Sequence, residues 1–275
     1  MSNQKKILVI VGCPRSGTSL FADFLVHCGL KTVQDNRANS QYPRGYHEHF
    51  PLLMFHKALE RYPRGADHRI TDLPFIQSAY LEDEFTSSIF AAASVPFQDQ
   101  NINFIKLPQL ALSIDFLFEQ FPNLHIIALW RNPSAVFKSL IQKEFPKEMR
   151  PASGVKAILL QSVYGIQIKN AYQKYPGSIT VLAIDQIIKK DQNLGPLLER
   201  LGFEIESPCR LSQSMNTGLW TKRVPLFWAL YYQLMRIGVL LGAPFLNPEK
   251  RKFVKLGDLS REILKINYES ANNNS

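Results

Sequence analysis

The chain has 275 residues, of which 45% are hydrophobic and 20% are charged. This composition is typical of a soluble globular protein, and the length suffices for one large α/β domain. The formal net charge of +9 suits an anionic ligand, a nucleic acid or an acidic membrane surface. The three cysteines (Cys13, Cys28 and Cys209) are odd in number and far apart, so the sequence supports neither a disulfide framework nor a zinc site. Because the first apolar run is also too short for a signal peptide, we expect a cytoplasmic protein.

The first predicted elements are a strand, a loop and a helix within residues 7–28, ILVIVGCPRSGTSLFADFLVHC. The apolar run Ile7–Val11 predicts a buried strand, and an amphipathic helix opens at Thr18 and Ser19. A tight loop that contains glycine lies between them. Because such a loop directs backbone N–H groups and a helix N-terminus toward one place, the sequence predicts a site for phosphate or sulfate.

The loop resembles a nucleotide-binding loop in which the positively charged residue stands at a different position. Its spacing Gly12-x4-Gly17 matches the first half of a Walker A motif. Thr18 stands where that motif requires a lysine, and Arg15 supplies a positive charge inside the loop. We therefore expect the loop to hold an anion in a different manner from an ATPase. The alternative is a tight strand–helix turn with an ordinary Ser/Thr cap.

A long insertion follows, over roughly residues 31–100, and it is rich in Pro, His, Tyr and Arg. Long segments at the C-terminal edge of a parallel sheet usually bind substrates, so we expect substrate binding here. The alternative is a helical layer that covers the sheet, and residues 51–60 and 78–93 are assigned to such a layer.

Three more strands are predicted from short apolar runs, with helical patterns between them. The strands are Ile102–Leu107, Leu124–Trp130 and Ile179–Ile184, and the helices are Leu110–Phe121, Pro133–Lys143 and Val155–Tyr175. Nearly uninterrupted apolar strands are typical of a sheet covered on both faces. Because strands and helices alternate, the sequence predicts a three-layer α/β fold with a central parallel sheet and helices on both faces.

A second motif, WRNPSAVFKS, begins at the end of the strand that closes with Trp130. Arg131 is expected at the C-terminal end of that strand, and Pro133 suits the first turn of a helix. Ser139 then lies about two turns into the helix, so that Arg131 and Ser139 can approach one bound anion. Taken alone, the motif is better explained as an exposed arginine and an ordinary helical serine.

Together the two motifs resemble those of the sulfotransferases that use 3′-phosphoadenosine 5′-phosphosulfate (PAPS). In that family a loop similar to CPRSGTS binds the 5′-phosphosulfate, and the pattern R-[ND]-P-x5-S binds the 3′-phosphate. The resemblance covers residues 5–205, implies a P-loop-like fold, and includes Asp185 as a structural acid. The donor-binding residues that it implies are Cys13, Pro14, Arg15, Ser16, Gly17, Thr18, Ser19, Arg131 and Ser139.

The strand predicted over Ile102–Leu107 departs from the family pattern. Cytosolic members carry a Lys-x-His there, with the histidine as the general base, whereas this chain has Lys106 followed by Leu107 and Pro108. The resemblance therefore implies that Lys106 lies near the transferred sulfuryl group, where it and Arg15 stabilise negative charge. The alternative for Lys106 is that its side chain extends to water.

Glu48 is the candidate for the missing base. The segment PRGYHE, which ends at Glu48, resembles the P-x-G-x-x-E segment of bacterial and carbohydrate sulfotransferases, in which a glutamate is often the base. The alternative is a solvated glutamate or one paired with Arg44. His47 and His49 flank Glu48, but alternate residues of an extended chain point in different directions. Asp35 is a weaker candidate.

The last quarter of the chain is basic and contains a long apolar segment. Residues 210–275 hold ten Lys/Arg and four Asp/Glu, and therefore +6 of the net charge. Arg236 divides the apolar segment 224–246 into halves that are each too short to span a bilayer. A buried or dimer-forming helix is the first interpretation, an in-plane membrane anchor the second, and a membrane span the third.

These patterns favour a single sulfotransferase domain over residues 1–275, with a substrate-binding insertion at 31–100 and a helical extension at 210–275. The implied reaction transfers a sulfuryl group from PAPS to a hydroxyl or amine of a small-molecule, sugar or lipid acceptor, and leaves adenosine 3′,5′-bisphosphate. It requires no metal and no nucleic acid, whereas the extension is compatible with a homodimer or a peripheral membrane contact. One alternative is a P-loop kinase or NTPase, because Val181–Asp185 resembles a Walker B strand. The other is a non-catalytic protein that binds nucleic acid or membranes.

Overall fold

The computed structural model describes residues 6–33, 47–48, 51–55, 84–144, 151–205, 209–211, 226, 229–234 and 237. Within these residues, a four-stranded sheet has all neighbouring strands parallel. The strands are β1 (Ile7–Gly12), β2 (Phe104–Lys106), β3 (Leu124–Trp130) and β4 (Ile179–Ala183), in the order β2-β1-β3-β4. The predicted α/β class with a central parallel sheet is confirmed.

Helices connect the strands. They are α1 (Thr18–His27), α2 (Glu84–Gln98), α3 (Ile114–Gln120), α4 (Pro133–Glu144), α5 (Pro151–Lys174), α6 (Ile184–Lys190) and α7 (Gly195–Arg200), with a 3₁₀ helix at Pro108–Leu112. Residues 51–55 are also helical. This segment lies within the predicted helical cover of the insertion, and α2 overlaps that cover but continues beyond residue 93 to Gln98. Residues 34–46, 49–50 and 56–83 lie outside the described part.

Alternate residues of the strands enter two separate hydrophobic layers. On β1, Ile7, Val9 and Val11 belong to one layer, whereas Leu8 and Ile10 belong to the other. This alternation follows from the strand geometry, which points successive side chains to opposite faces. Helices α2 to α5 and the segment 51–55 pack in the first layer, and α1, α6 and α7 pack in the second. Helices therefore cover both faces, as predicted.

Two elements between β1 and β3 differ from their predicted bounds. β2 covers Phe104–Lys106 rather than Ile102–Leu107, and a ladder cannot continue through Pro108, which has no N–H. The helix predicted over Leu110–Phe121 is divided into a 3₁₀ helix and α3, because Ser113 between them has a non-helical φ of −133°. Both changes occur immediately after the C-terminal end of β2, where Lys106 is placed.

A disulfide joins Cys28, just after α1, to Cys209, beyond α7. The two Cα atoms lie 5.7 Å apart although 181 residues separate them in the chain. Both side chains are fully buried in the second hydrophobic layer. The sequence offered no support for a disulfide because the spacing carries no local signal, and that expectation is wrong for this pair.

The described residues between 226 and 237 are helical, in agreement with the helix expected in the apolar extension. Tyr232 is buried and its ring lies 5.5 Å from that of Phe137 on α4. The opposite side carries exposed apolar side chains, namely Leu226, Leu230, Leu234 and Ile237. Among the helices that the structure describes, none is long and apolar enough to cross a membrane.

Candidate active site

The loop between β1 and α1 depends on glycine at its first position. Gly12 ends β1 with a φ of +157°, which is rare for other residues. A Cβ at this position would lie 2.6 Å from Ser16 Oγ and 2.8 Å from the carbonyl oxygen of Leu129. Since the second atom belongs to the backbone of β3, it cannot easily move away. The close approach of the loop to β3 therefore requires Gly12.

The loop joins a tight turn, a buried hydroxyl and the start of α1. The backbone N–H of Ser16 donates to the carbonyl of Cys13 at 2.9 Å, which closes the turn, and Gly17 precedes α1 with a φ of +101°. The first N–H groups of a helix have no acceptor within the helix. Ser16 Oγ is also buried, and it has no hydrogen-bond partner among the described residues. These unsatisfied groups suit an anion.

The thiol of Cys13 is not a nucleophile. Its side chain is buried in the first hydrophobic layer, and burial raises the pKa of the thiol well above its usual range. Because the thiolate is the reactive form of cysteine, a buried neutral thiol is inert. Cys13 therefore contributes to the loop through its backbone, whose carbonyl accepts the Ser16 hydrogen bond.

The second motif contacts the loop directly. Arg15 Nε donates a hydrogen bond to Ser139 Oγ at 3.1 Å, across 124 residues of sequence. The NH1 group of Arg131 donates to the carbonyl oxygen of Arg15 at 3.3 Å. Three residues that the sequence singled out for anion binding thus meet at one place, the C-terminal edge of β1 and β3.

Asp185 orients the start of the second motif. Its Oδ2 accepts a hydrogen bond from the backbone N–H of Asn132 at 2.6 Å, and its Oδ1 lies 3.5 Å from Arg131 Nε. Burial lowers the pKa of Arg131, the pairing with Asp185 opposes this effect, and the positive charge of Arg15 adds to it. Arg15 and Arg131 are therefore neighbouring cations, and neighbouring positive charges favour the binding of an anion.

Lys106 links the loop side of the site to Glu48. Its ammonium group lies 3.1 Å from Ser19 Oγ and 2.5 Å from Glu48 Oε1, and it donates to both. The lysine side chain is 1% exposed and that of Glu48 is 14% exposed. The interpretation of Lys106 as a side chain that extends to water is therefore wrong. Glu48 pairs with Lys106 in the structure, while Arg44 and Asp35 lie outside the described residues.

One pair of residues near Glu48 was not found by the sequence. His47 Nε2 lies 2.6 Å from Asp23 Oδ1 on α1. Because an ionised carboxylate only accepts hydrogen bonds, the imidazole donates from this nitrogen. Asp23 follows Ser19 by one helical turn, and this spacing was the only signal that pointed to it.

The described residues contain no group of three or more His, Cys, Asp or Glu side chains placed to hold a metal ion. Within the described part of the chain, the charged groups at the site include the cations Arg15, Lys106 and Arg131, with Glu48 paired to Lys106 and Asp185 beside Arg131. Such a set can hold an anionic group and can also offer a carboxylate to a neighbouring proton donor.

Comparison with known proteins adds a family match and several structures. The model of the sulfotransferase family matches residues 8–175, which is more than half of the chain. No curated protein matches the sequence significantly. A sulfotransferase domain from the curacin biosynthetic pathway is 19% identical, with 81% of this chain and 82% of that one covered and a TM-score of 0.47. A sulfotransferase domain from the Synechococcus PCC 7002 olefin synthase is 17% identical, with 84% and 96% covered and a TM-score of 0.47. The sulfotransferase STF9 from Mycobacterium avium is 13% identical, with 86% and 68% covered and a TM-score of 0.42.

Proposed function

Because the chain belongs to the sulfotransferase family, we propose that it transfers a sulfuryl group from PAPS to a hydroxyl or amine of a small-molecule, sugar or lipid acceptor. The observation that carries this proposal is the direct contact between the loop and the second motif. Arg15 bonds to Ser139, and Arg131 bonds to the backbone of Arg15. This contact supports the proposal, because a donor with a phosphosulfate and a separate phosphate needs its two anion-binding motifs to be side by side.

The residues at the loop fit such a donor. Ser16 Oγ is buried without a partner among the described residues. The absence of a Cβ at Gly12 leaves room for this hydroxyl. In this proposal the loop from Cys13 to Ser19 holds the 5′-phosphosulfate. Arg131 and Ser139 hold the 3′-phosphate, which is the group that distinguishes PAPS from ATP.

The proposed reaction is an in-line displacement at sulfur. The acceptor oxygen or nitrogen forms a bond to sulfur while the bond from sulfur to the 5′-phosphate oxygen breaks, and the acceptor proton passes to a base. Arg15 and Lys106 stabilise the negative charge that develops during this displacement, since fixed cations in a buried site lower the energy of such a transition state. Lys106 is suited to this role because its ammonium group is already held between Ser19 and Glu48.

Glu48 is the proposed base. Its carboxylate is largely buried, and it lies beside the lysine assigned to the sulfuryl group. A general base must lie within hydrogen-bond reach of the proton that it removes. A carboxylate next to Lys106 meets this condition for an acceptor that attacks the sulfuryl group held there.

The proposal is tested with the wild-type protein and three nucleotides. We expect adenosine 3′,5′-bisphosphate to raise the melting temperature more than ADP, and Mg-ATP to have no effect. Labelled PAPS, offered with pools of phenols, sugars and lipids, should then identify an acceptor through the transfer of label. A melting shift with Mg-ATP but none with the bisphosphate would overturn the proposal in favour of a kinase or NTPase.

A further inference from the structure

Asp23 and His47 complete a ring of polar contacts around Lys106 and Glu48. Ser19 and Asp23 lie one turn apart on α1, so their side chains share one face of the helix. Ser19 Oγ accepts a hydrogen bond from Lys106, and Asp23 accepts one from His47. Because Lys106 pairs with Glu48, and Glu48 follows His47 in the chain, the ring is closed.

The ring is shielded from water. The side chains of Lys106 and Glu48 are 1% and 14% exposed, and those of His47 and Asp23 are 13% and 20% exposed. Ion pairs on open surfaces contribute little to stability, whereas polar contacts in a low-dielectric environment are stronger. The contact between Asp23 and His47 can therefore hold the chain in a defined position.

The backbone at His47 needs such a contact. Its φ of +54° lies in the left-handed region, which is unfavourable for a residue other than glycine. In an extended strand, neighbouring side chains would point to opposite faces. With the left-handed conformation at His47, both neighbouring side chains reach the same group of residues. His47 contacts Asp23 on α1, and Glu48 contacts Lys106, whose ammonium group also contacts Ser19 on α1.

We propose that Asp23 and His47 are positioning residues that hold Glu48 against Lys106 in the orientation that proton transfer requires. The proposal rests on the proposed function, in which Glu48 accepts the proton of the acceptor. The backbone of Glu48 also forms a parallel bridge with Lys106 on β2. The bridge holds the backbone, and the bond between His47 and Asp23 holds the conformation that directs the side chain.

The first test is Asp23→Ala, which removes the acceptor of the His47 hydrogen bond. We expect kcat to fall about 10²-fold, because small displacements of a catalytic group cost that much, while the Kd of adenosine 3′,5′-bisphosphate stays unchanged. Asp23→Asn keeps an oxygen acceptor and should retain most of the activity. Asp115→Ala is the matched control, because it removes an exposed carboxylate that pairs with Lys174. A normal kcat in Asp23→Ala would overturn the proposal.

A double variant separates positioning from a general structural role. If Asp23 acts through Glu48, adding Asp23→Ala to Glu48→Gln should lower kcat no further, whereas independent effects would multiply. His47→Gly is a second variant, since glycine adopts a positive φ freely and only the imidazole is lost. Multiplied losses in the double variant, or full activity in His47→Gly, would each contradict the proposal.

Failure of the proposed function would be seen separately, because the wild-type protein would then neither bind the bisphosphate nor transfer sulfate. The positioning contact is still tested in that case by hydrogen exchange of backbone amides. Asp23→Ala should speed exchange at Glu48 and leave Ile105 on β2 unchanged. Equal exchange at Glu48 in the wild-type protein and in the variant would overturn the proposal.

Discussion

Arg131 is held at the end of β3 by two partners of different kinds. Asp185 lies beside its Nε, and the carbonyl oxygen of Arg15 accepts from its NH1 group. These contacts restrict a side chain that would otherwise lose much conformational freedom when a ligand binds. The guanidinium is therefore already oriented before any anion arrives, which favours tight binding.

The proposed role of Arg131 predicts a selective loss of affinity. We expect Arg131→Ala to weaken binding of adenosine 3′,5′-bisphosphate by about 10- to 100-fold, since a hydrogen bond to a charged group contributes about 1.5–3 kcal/mol. Binding of ADP, which lacks the 3′-phosphate, should weaken less. Calorimetric titration measures both affinities, and Lys189→Ala, which removes an exposed positive charge on α6, is the control. An equal loss for the two ligands would contradict the assignment of the 3′-phosphate to Arg131.

The proposed role of Glu48 as base predicts a loss of turnover rather than of donor binding. An amide cannot accept a proton at neutral pH, so Glu48→Gln should lower kcat by about 10²- to 10⁴-fold, the range for a general base. The affinity for adenosine 3′,5′-bisphosphate should be retained, as measured by calorimetry. Glu199→Gln, a change of an exposed carboxylate on α7, should leave both quantities unaltered. Normal turnover of Glu48→Gln would show that another group is the base.

At the scale of elements, the site is formed by the segments that follow three adjacent strands. β1 pairs with β3 in parallel register from Ile7 with Leu124 to Gly12 with Leu129, and β2 pairs with the other edge of β1. Because the carboxyl ends of parallel strands meet at one edge of a sheet, the loop, the second motif and Lys106 emerge side by side. The strand order β2-β1-β3-β4 thus explains why residues distant in sequence form one site.

The opposite end of β3 carries a buried histidine that predicts how stability depends on pH. His125 Nε2 lies 2.9 Å from Thr180 Oγ1 on β4, and burial lowers the pKa of His125 to about 4, with a smaller effect from the charge of Lys6. The unfolded chain takes up a proton near pH 6.5, whereas the folded chain resists it until about pH 4. The free energy of unfolding should therefore fall as the pH drops through this window, by about 3 kcal/mol at most.

Denaturant unfolding at pH 7 and pH 5 checks this expectation. His125→Gln cannot take up the proton and should lose less stability between the two values than the wild-type protein. His27→Gln, which replaces an exposed histidine at the end of α1, should behave like the wild type. The same pH dependence in His125→Gln and in the wild type would rule out His125 as the source.

The elements were predictable because their signals are local. β3 has the predicted bounds Leu124–Trp130, since an uninterrupted apolar run marks a strand buried on both faces. α4 begins at Pro133, which suits a first helical turn. The division of the helix predicted over Leu110–Phe121 was missed, because nothing in the periodicity marks the non-helical backbone of Ser113.

At the scale of the whole molecule, the disulfide connects the end of α1 to the segment beyond α7. We expect alkylation of the denatured protein to label one thiol, Cys13, before reduction and three after it. A combined Cys28→Ala and Cys209→Ala variant should lose about 2–5 kcal/mol of unfolding free energy, as expected when a native disulfide is removed. Cys13→Ala is the control for alkylation, since it should leave the disulfide intact. Three labelled thiols before reduction would contradict the bond.

The C-terminal extension contacts the rest of the protein through one side of its helix. Its described helical residues pack through Tyr232 on Phe137 and leave Leu226 and Leu230 exposed, so the helix is partly buried. The homodimer, the peripheral membrane contact and the extent of the single domain over residues 1–275 stay predictions.

The sequence by itself determined the α/β class and identified two candidate motifs for anion binding, because apolar runs, loop glycines and a strand-end arginine are local patterns. Only the tertiary structure decided which polar groups face each other. Arg15 and Ser139 are separated by 124 residues, and Lys106 and Glu48 by 58 residues. Such pairs form when packing of the sheet brings strand ends together. They depend on the burial of apolar side chains throughout the sheet and on the low dielectric around the pair, and not on residues that are neighbours in the sequence. For that reason Glu48 and Lys106 were each identifiable as candidates from the sequence, whereas their pairing and the Asp23–His47 contact were not.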